Sequence, residues 1–159
     1  MILLSHIPFQ LSGFEIQRVM GDENTLIITA AAQGSVATCP SCGQNSQRVH
    51  SYYIRKPYDL AISGQSVQLN LRVRRFRCQN QDCARQTFAE RLPEVVAASA
   101  QRTVRLTELL SIFAVALNAQ TASRLLARLA MEASGDTLLR LVKRTLLPPV
   151  TAPKAGRRR

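Results

Sequence analysis

The clearest pattern in the chain is an alternation of apolar and polar residues near its middle. The apolar positions are Val67, Leu69, Leu71 and Val73, and the polar positions are Gln68, Asn70, Arg72 and Arg74. A period of two predicts a strand whose arginines share one face. The phase changes at Arg74 and Arg75, before Phe76 and Cys78, so we expect a β-bulge or the strand end there.

Three earlier segments also have strand character. Residues 14–20 and 25–29 are rich in β-forming side chains and flank the turn-forming segment 21–24, which predicts a hairpin. Residues 49–55 predict a further strand. We interpret Pro57, Gly64 and their neighbours as a turn region.

Apolar residues recur at helical spacing from about residue 100 to 145. The first predicted helix carries Leu106, Leu109, Leu110, Phe113 and Leu117, and the second, at about 121–129, carries Ala122, Leu125, Leu126 and Leu129. A third begins near Ser134, after a turn at 130–133, and we interpret 92–100 as a linker. The sequence therefore predicts an α+β protein: a β-hairpin and zinc-ribbon domain at 1–92, a three-helix helix-turn-helix domain at 100–147 and a disordered basic tail at 148–159.

The four cysteines form two closely spaced pairs. Cys39 and Cys42 are followed by Gly43, and Cys78 and Cys83 make the second pair. The chain has no long apolar stretch and a poor signal-peptide start, so we expect a cytoplasmic protein whose thiols are reduced. The spacing then predicts a zinc ribbon with one structural Zn²⁺, because four thiolates leave no open position for catalysis. Free thiols, a redox pair, or His50 in place of one cysteine are the alternatives.

The net charge points to a polyanionic partner. The chain has 21 Lys and Arg residues against 10 acidic ones, a formal charge of +11. Such an excess on a small chain is typical of nucleic-acid binding, although surface Lys and Arg also serve solubility alone. The position of the charges must decide between the two.

The third predicted helix has the pattern of a DNA-reading helix. Ser134 is a suitable N-cap, and Leu138, Leu141 and Val142 share an apolar face. The candidate DNA-binding residues on and around the opposite face are Ser134, Asp136, Thr137, Arg140, Lys143 and Arg144. Their pattern fits a helix in the major groove, with a solvated face of an ordinary bundle as the alternative.

Other basic residues are candidates for contacts with the DNA backbone. They are Arg72, Arg74 and Arg75 on the central strand, Arg124 and Arg128 on the second helix, and Lys154 and Arg157–Arg159 in the tail. The strand arginines could instead keep an edge strand from aggregating. The helix pair could be ordinary surface residues.

No catalytic constellation is present in the sequence. The acids do not form the pattern that two-metal phosphoryl transfer needs, and there is no phosphate loop or nucleophile elbow. We therefore expect no catalytic residues and no enzyme activity.

The order of motifs resembles the N-terminal region of bacterial insertion-sequence transposases of the ISL three family. The motifs are Cys39-Pro-Ser-Cys42-Gly43, Val49-His50-Ser51-Tyr52, Leu71-Arg-Val-Arg-Arg-Phe-Arg-Cys78, Cys83, Phe88-Ala-Glu-Arg-Leu-Pro93 and Ser134-Gly-Asp-Thr-Leu-Leu-Arg140. The resemblance implies a zinc-binding domain and a helix-turn-helix that recognises the terminal inverted repeats of the element. It also implies Cys39, Cys42, Cys78 and Cys83 as zinc ligands.

In this family a ribonuclease-H-like domain with an Asp-Asp-Glu metal site follows, but no acid follows Asp136 here. The resemblance therefore predicts a DNA-binding fragment of a truncated transposase without strand-transfer activity. Double-stranded DNA is the expected partner, and a second copy or a full-length transposase is a further candidate. The resemblance also implies a bacterial, nucleoid-associated protein, and we expect no contact with a membrane. A zinc-dependent helix-turn-helix transcription regulator and a zinc-ribbon protein-interaction adaptor are the alternative functions.

Overall fold

The computed structural model describes residues 9–144 of the chain, and the predicted basic tail at 148–159 lies outside them. The described part contains eight strands and three helices. They are β1 (Phe14–Gly21), β2 (Thr25–Ala32), β3 (Ala37–Thr38), β4 (Asn45–Ser46), β5 (Val49–Arg55), β6 (Tyr58–Ile62), β7 (Gln65–Arg77), β8 (Thr87–Ala89), α1 (Val104–Ala116), α2 (Ala119–Arg128) and α3 (Gly135–Arg144). The mixed α+β composition predicted from the sequence is confirmed.

The long strand β7 lies at the centre of a six-stranded sheet. Strands β2, β5, β6 and β8 all pair with β7, and β1 pairs with β2 to form the predicted hairpin. The β2–β7 pairing is parallel, whereas the other pairings of the sheet are antiparallel. Because parallel neighbours need a long connection, the chain between β2 and β7 has room for the first cysteine pair, β5 and β6.

The alternation along β7 is confirmed by burial. Val67, Leu69 and Leu71 are fully buried and Val73 nearly so. A β-bulge lies at the change of phase, as expected, but its extra residue belongs to the partner strand: it is His50 of β5, between the pairs Val49–Phe76 and Ser51–Arg75. The strand β7 does not end there and continues to Arg77. Phe76 is buried on the other side of β7 because a second small core lies there.

The predicted turn region around residues 57–64 contains a strand that the sequence interpretation missed. Strand β6 pairs with the beginning of β7, and only Ser63 and Gly64 separate the paired residues Ile62 and Gln65. Both turn residues have positive φ, 52° for Ser63 and 80° for Gly64, which matches a two-residue hairpin turn. Because the turn takes up only two residues, the residues before it can pair with β7 and form β6.

The segment 92–100 is part of the sheet core and not a linker, so this interpretation was also wrong. Val95 and Val96 are buried against the apolar face of β7, next to Phe14 of β1. The Arg55 guanidinium donates hydrogen bonds to the carbonyl oxygens of Ala97 and Ala100, at 2.9 and 2.8 Å. The segment therefore covers part of the apolar face of the sheet.

The three helices enclose a core of their own. Its buried residues are Leu106, Leu110, Ala114, Ala122, Leu126, Ala133 and Leu138. Leu125 and Leu129 were predicted to share the core face of α2, but they are 42% and 46% exposed. The residues of α2 that are buried in this core are Ala122 and Leu126. Leu125 and Leu129 lie to one side of this buried face.

A buried carboxylate attaches the helices to the sheet. Asp59 of β6 is 2% exposed and accepts a hydrogen bond of 2.7 Å from the Thr103 hydroxyl, the N-cap of α1. The Arg105 guanidinium forms an ion pair with the same carboxylate. The hydrogen bond that Arg105 donates to Asp59, together with the negative charge of that carboxylate, raises the pKa of Arg105, although burial acts in the opposite direction. The beginning of α1 is therefore fixed to one strand of the sheet.

We predict that Asp59→Asn lowers the free energy of unfolding by about 2–3 kcal/mol. The amide cannot satisfy the Arg105 and Thr103 donors as the carboxylate does, and the partial exposure of Arg105 reduces the cost below that of a fully buried pair. Urea denaturation measures the change. The exposed residue Glu94, which accepts from Ser12 at 2.9 Å, provides the control Glu94→Gln, expected to change stability by less than about 0.5 kcal/mol. Equal effects of the two variants would refute the attachment.

Candidate metal centre and nucleic-acid interface

The first cysteine pair lies in a tight turn between the two short strands β3 and β4. The Cys39 amide donates to the Gln44 carbonyl at 2.8 Å, and the Gly43 amide donates to the Cys39 carbonyl at 2.9 Å. Gly43 has a φ of 74°, a conformation that a side chain disfavours. The glycine therefore permits the turn that brings the sulfurs of Cys39 and Cys42 to the same side.

The second cysteine pair follows the end of β7. The Cys78 amide donates to the Gln86 carbonyl at 2.8 Å, which closes the loop that carries Cys83. Inside the loop the Asn80 side chain accepts a hydrogen bond of 3.0 Å from the Asp82 amide. The wider spacing of this pair is thus accommodated by a hydrogen-bonded loop.

The four sulfurs fit a tetrahedral zinc ion. The Cys39–Cys83 sulfur distance is 4.0 Å, the Cys42–Cys78 distance is 3.6 Å, and all four ligand atoms lie within 4.8 Å of one another. Zinc–sulfur bonds of about 2.3 Å in a tetrahedron place the sulfurs about 3.8 Å apart. His50 lies outside this group and its Nδ1 is 3.1 Å from the Ser51 hydroxyl. The geometry therefore favours four thiolates over a histidine substitution.

The protein environment prepares the thiols unequally for ionisation. Burial opposes ionisation of Cys39, but hydrogen bonds from the backbone amides of Ser41 and Cys42 lower its pKa to about 7. The Asn80 amide favours the Cys78 thiolate, yet burial and the neighbouring thiols raise its pKa to about 12. Four like charges at this distance are unfavourable without a cation between them. A divalent metal ion removes that obstacle.

The cysteine site is packed onto the last residues of β7. Phe76 and Phe88 stack with their ring centroids 5.9 Å apart, and Cys39, 1% exposed, completes this small core. The buried Ser46 hydroxyl donates to the Arg77 carbonyl at 2.6 Å. Zinc binding and the order of this end of β7 are therefore coupled.

Arg74, a predicted DNA contact, is occupied inside the protein. Its guanidinium pairs with Glu90 at 2.6 Å, and the two side chains are only 11% and 6% exposed. It also donates to the carbonyl of Gln33, at 2.8 Å, and to that of Gly34. Arg74 therefore joins β7 to the segment before the first cysteine pair, and we no longer include it among the candidate DNA contacts.

The other two strand arginines are exposed. The Arg72 guanidinium lies 4.1 Å from the centre of the Tyr52 ring, and the Arg75 guanidinium lies 5.6 Å from that of Tyr53. The two arginines extend from opposite sides of β7, because they are three positions apart. Cation–π contacts leave their N–H groups available to a ligand.

The candidate residues of α3 lie together on the surface. The Ser134 hydroxyl accepts from the Thr137 amide at 3.3 Å, as predicted for the N-cap, and Leu138 is fully buried. Of the remaining candidate residues, Asp136, Arg140, Lys143 and Arg144 are exposed and Thr137 is half-buried. Arg124 and Arg128 are exposed on α2. The helix thus presents a mostly basic surface beside its buried face.

One basic residue near α3 escaped the sequence interpretation. Arg102, which precedes α1, lines the same groove as Arg140 and Arg144. A single arginine in a segment interpreted as the edge of a linker carries no periodic signal. Only the packing of α1 against α3 brings it to this surface.

We predict that Cys42→Ser reduces bound zinc from one ion per chain to well below one, because the hydroxyl is a poor ligand at neutral pH and leaves three thiolates. Elemental analysis of the dialysed protein measures the metal content. The neighbouring variant Ser41→Ala, which removes no sulfur, is expected to retain one ion. Full zinc content in the Cys42 variant would refute the four-cysteine site.

We also predict opposite roles for the neighbouring arginines Arg72 and Arg74. Arg74→Ala should lower the free energy of unfolding by about 3–4 kcal/mol, because it leaves the Glu90 carboxylate buried without its partner. Arg72→Ala should cost less than about 1 kcal/mol, since its contact with Tyr52 is exposed. Urea denaturation of both variants tests the assignment, and similar losses would contradict it.

Comparison with known proteins identifies the family of the cysteine-containing segment. Residues 35–83 match the family model described as the zinc finger of transposase IS204/IS1001/IS1096/IS1165. No curated protein and no solved structure matches the chain significantly. No helix within residues 9–144 is long and apolar enough to span a membrane. The match and the sulfur cluster together show that residues 35–83 carry a zinc ribbon of the ISL three transposase type with one structural Zn²⁺ site.

Proposed function

We propose that the chain binds double-stranded DNA and recognises the terminal inverted repeats of an insertion-sequence element. The transposase zinc ribbon supports this, as does the formal charge of +11. The observation that carries the proposal is the two-sided character of α3. Leu138 is fully buried in the core of the three helices, whereas Arg140, Lys143 and Arg144 are exposed.

The arrangement of α2 and α3 supports a helix-turn-helix. Residues 129–134 connect the two helices, and the Ser123 hydroxyl of α2 donates to the Ala133 carbonyl at 2.8 Å. Leu126 and Leu138 are fully buried in the core that α2 and α3 share with α1. A second helix that rests on the first and exposes a basic face can enter the major groove. In this proposal residues 100–147 form the DNA-reading unit.

The remaining exposed arginines have a secondary role in the proposal. Arg124 and Arg128 of α2 and Arg72 and Arg75 of β7 contact phosphates, which increases affinity without specifying sequence. The residues that read bases lie on α3 and include Arg140. Zinc supplies the scaffold, because its four thiolate ligands leave no position for a reacting water.

Strand cleavage is not part of the proposed function. All ten carboxylate residues of the chain lie within residues 9–144. In that part of the chain, the only group of three or more potential metal ligands is the cysteine cluster. Two-metal strand transfer needs acids that share a site. We therefore propose that the part of the chain within residues 9–144 binds DNA without cutting it.

A protein-interaction adaptor is a second candidate function, favoured by one observation. Tyr52 and Ile54 of β5 are 52% and 51% exposed, and Val49 on the same strand is 37% exposed. Exposed apolar side chains on an edge strand are a feature of protein-binding surfaces. The Arg72 guanidinium over Tyr52 makes this surface partly basic, so we rank DNA binding first.

Fluorescence anisotropy of the zinc-loaded protein tests the proposal. We predict tight, salt-dependent binding that prefers duplexes from the DNA flanking the coding region over scrambled duplexes. Arg140→Ala should weaken binding to the preferred duplex by about 1–3 kcal/mol, roughly 5- to 150-fold, and reduce the preference, because a base contact is lost.

The control is Arg18→Ala, which removes the same charge from an exposed position on β1. It should change the affinity little and leave the sequence preference intact. Equal affinity for every duplex would reduce the function to nonspecific binding. Absence of binding at low salt would refute the DNA proposal and favour the adaptor. A preferred site at a promoter without inverted repeats would instead indicate a transcription regulator.

A further inference from the structure

A groove of about 400 Å³ separates α3 from the segment that leads into α1. Three arginines line it: Arg140 and Arg144 from α3, and Arg102 from the segment before α1. Thr137 of α3 also lines it, and Glu108 of α1 is its only carboxylate. Two distant parts of the sequence thus place positive charge in one concave surface.

The three guanidinium groups are not used to hold the described part of the protein together. Within residues 9–144 the ion pairs are Arg74–Glu90 and Arg105–Asp59, so none of the three has a carboxylate partner within 4 Å. The structural arginines Arg74 and Arg105, by contrast, each pair with a buried carboxylate. The groove therefore retains unneutralised charge, with only Glu108 opposing it.

The position of Arg102 is fixed by the backbone. The Tyr58 amide donates to the Gln101 carbonyl and the Thr103 amide donates to the Tyr58 carbonyl, both at 2.9 Å, so residues 101–103 run beside β6. Thr103 is 1% exposed and is held by Asp59. Arg102 is therefore presented from a rigid segment, which reduces the entropy lost when it binds a ligand.

We propose that this groove binds one phosphate of the DNA backbone, contacted by Arg102 and Arg144, and so sets how α3 lies in the major groove. The inference rests on the proposed DNA binding and adds a contact from Arg102, which precedes α1 and lies outside α2 and α3. Guanidinium groups match phosphate oxygens with two parallel hydrogen bonds. Arg102 lies beside α3 and not on it. It is therefore placed to contact the DNA strand that borders the major groove.

Because the groove contains both arginines and Glu108, the proposal predicts one variant that weakens DNA binding and one that strengthens it. The Glu108 carboxylate repels a phosphate in the same groove, so Glu108→Gln should tighten binding about 2-fold at low salt. Arg102→Ala should weaken binding about 3- to 10-fold, equally for flanking and scrambled duplexes, because a phosphate carries no sequence information. The slope of log K against log salt should fall by about 1 in the Arg102 variant.

The experiment measures anisotropy of the zinc-loaded protein across a salt series for Arg102→Ala, Glu108→Gln and the control Arg18→Ala. A series of duplexes with one neutral methylphosphonate each then locates the phosphate. When the methylphosphonate replaces the phosphate that Arg102 contacts, that contact is already lost. On this duplex Arg102→Ala and the wild-type protein should therefore bind with the same affinity. Unchanged urea midpoints establish that the variants are folded, and the gain expected for Glu108→Gln cannot arise from misfolding.

The outcomes separate this inference from the proposed function. If the wild-type protein binds DNA but Arg102→Ala behaves like Arg18→Ala, or Glu108→Gln leaves affinity unchanged, the phosphate site is wrong and the proposed function stands. An effect of Arg102→Ala on the preferred duplex alone would show a base contact and also overturn the site. If the wild-type protein binds no duplex, both fail together.

Discussion

The fold depends on the pairing of one strand, β7, which belongs to two cores at once. Its first half buries Val67, Leu69 and Leu71 in the sheet core, and its last residues bury Phe76 beneath the cysteine turn. Cys78 follows directly, so the strand positions half of the zinc site. The two cores lie on opposite faces of the same backbone, and displacement of β7 would disturb both. This constraint explains why zinc, which performs no chemistry here, is coupled to the order of the sheet.

Arginines have two distinct roles in this protein, and burial separates them. Arg74 and Arg105 pair with Glu90 and Asp59, whose side chains are nearly or fully buried, and they join segments far apart in the sequence. The exposed arginines of α3 and β7 have no such partner among the described residues. Since a buried pair is costly to break whereas an exposed charge is free to bind, only the exposed group is available for DNA. Because each buried pair is neutral, the excess of positive charge comes from the other basic residues.

The sequence predicts the features whose signals are local. The alternation along β7, the spacing of Cys39 and Cys42, and the N-cap at Ser134 each follow from a few neighbouring residues. The misassigned features depend on distant contacts. Strand β6 forms because β7 pairs with it, the segment 92–100 is buried because the sheet offers an apolar face, and Arg74 is internal because Glu90 lies opposite. Pattern analysis cannot choose between partners that only the fold brings together.

Hydrogen–deuterium exchange of the zinc-loaded protein, with and without a saturating duplex, tests whether α3 and the start of α1 form one DNA-binding surface. We expect DNA to slow exchange in residues 101–108 and 134–144 and to leave β1 unchanged. Protection confined to β5 and β7, or absent while the duplex is bound, would contradict this expectation. The first result would instead place DNA on the sheet beside Tyr52 and Arg72.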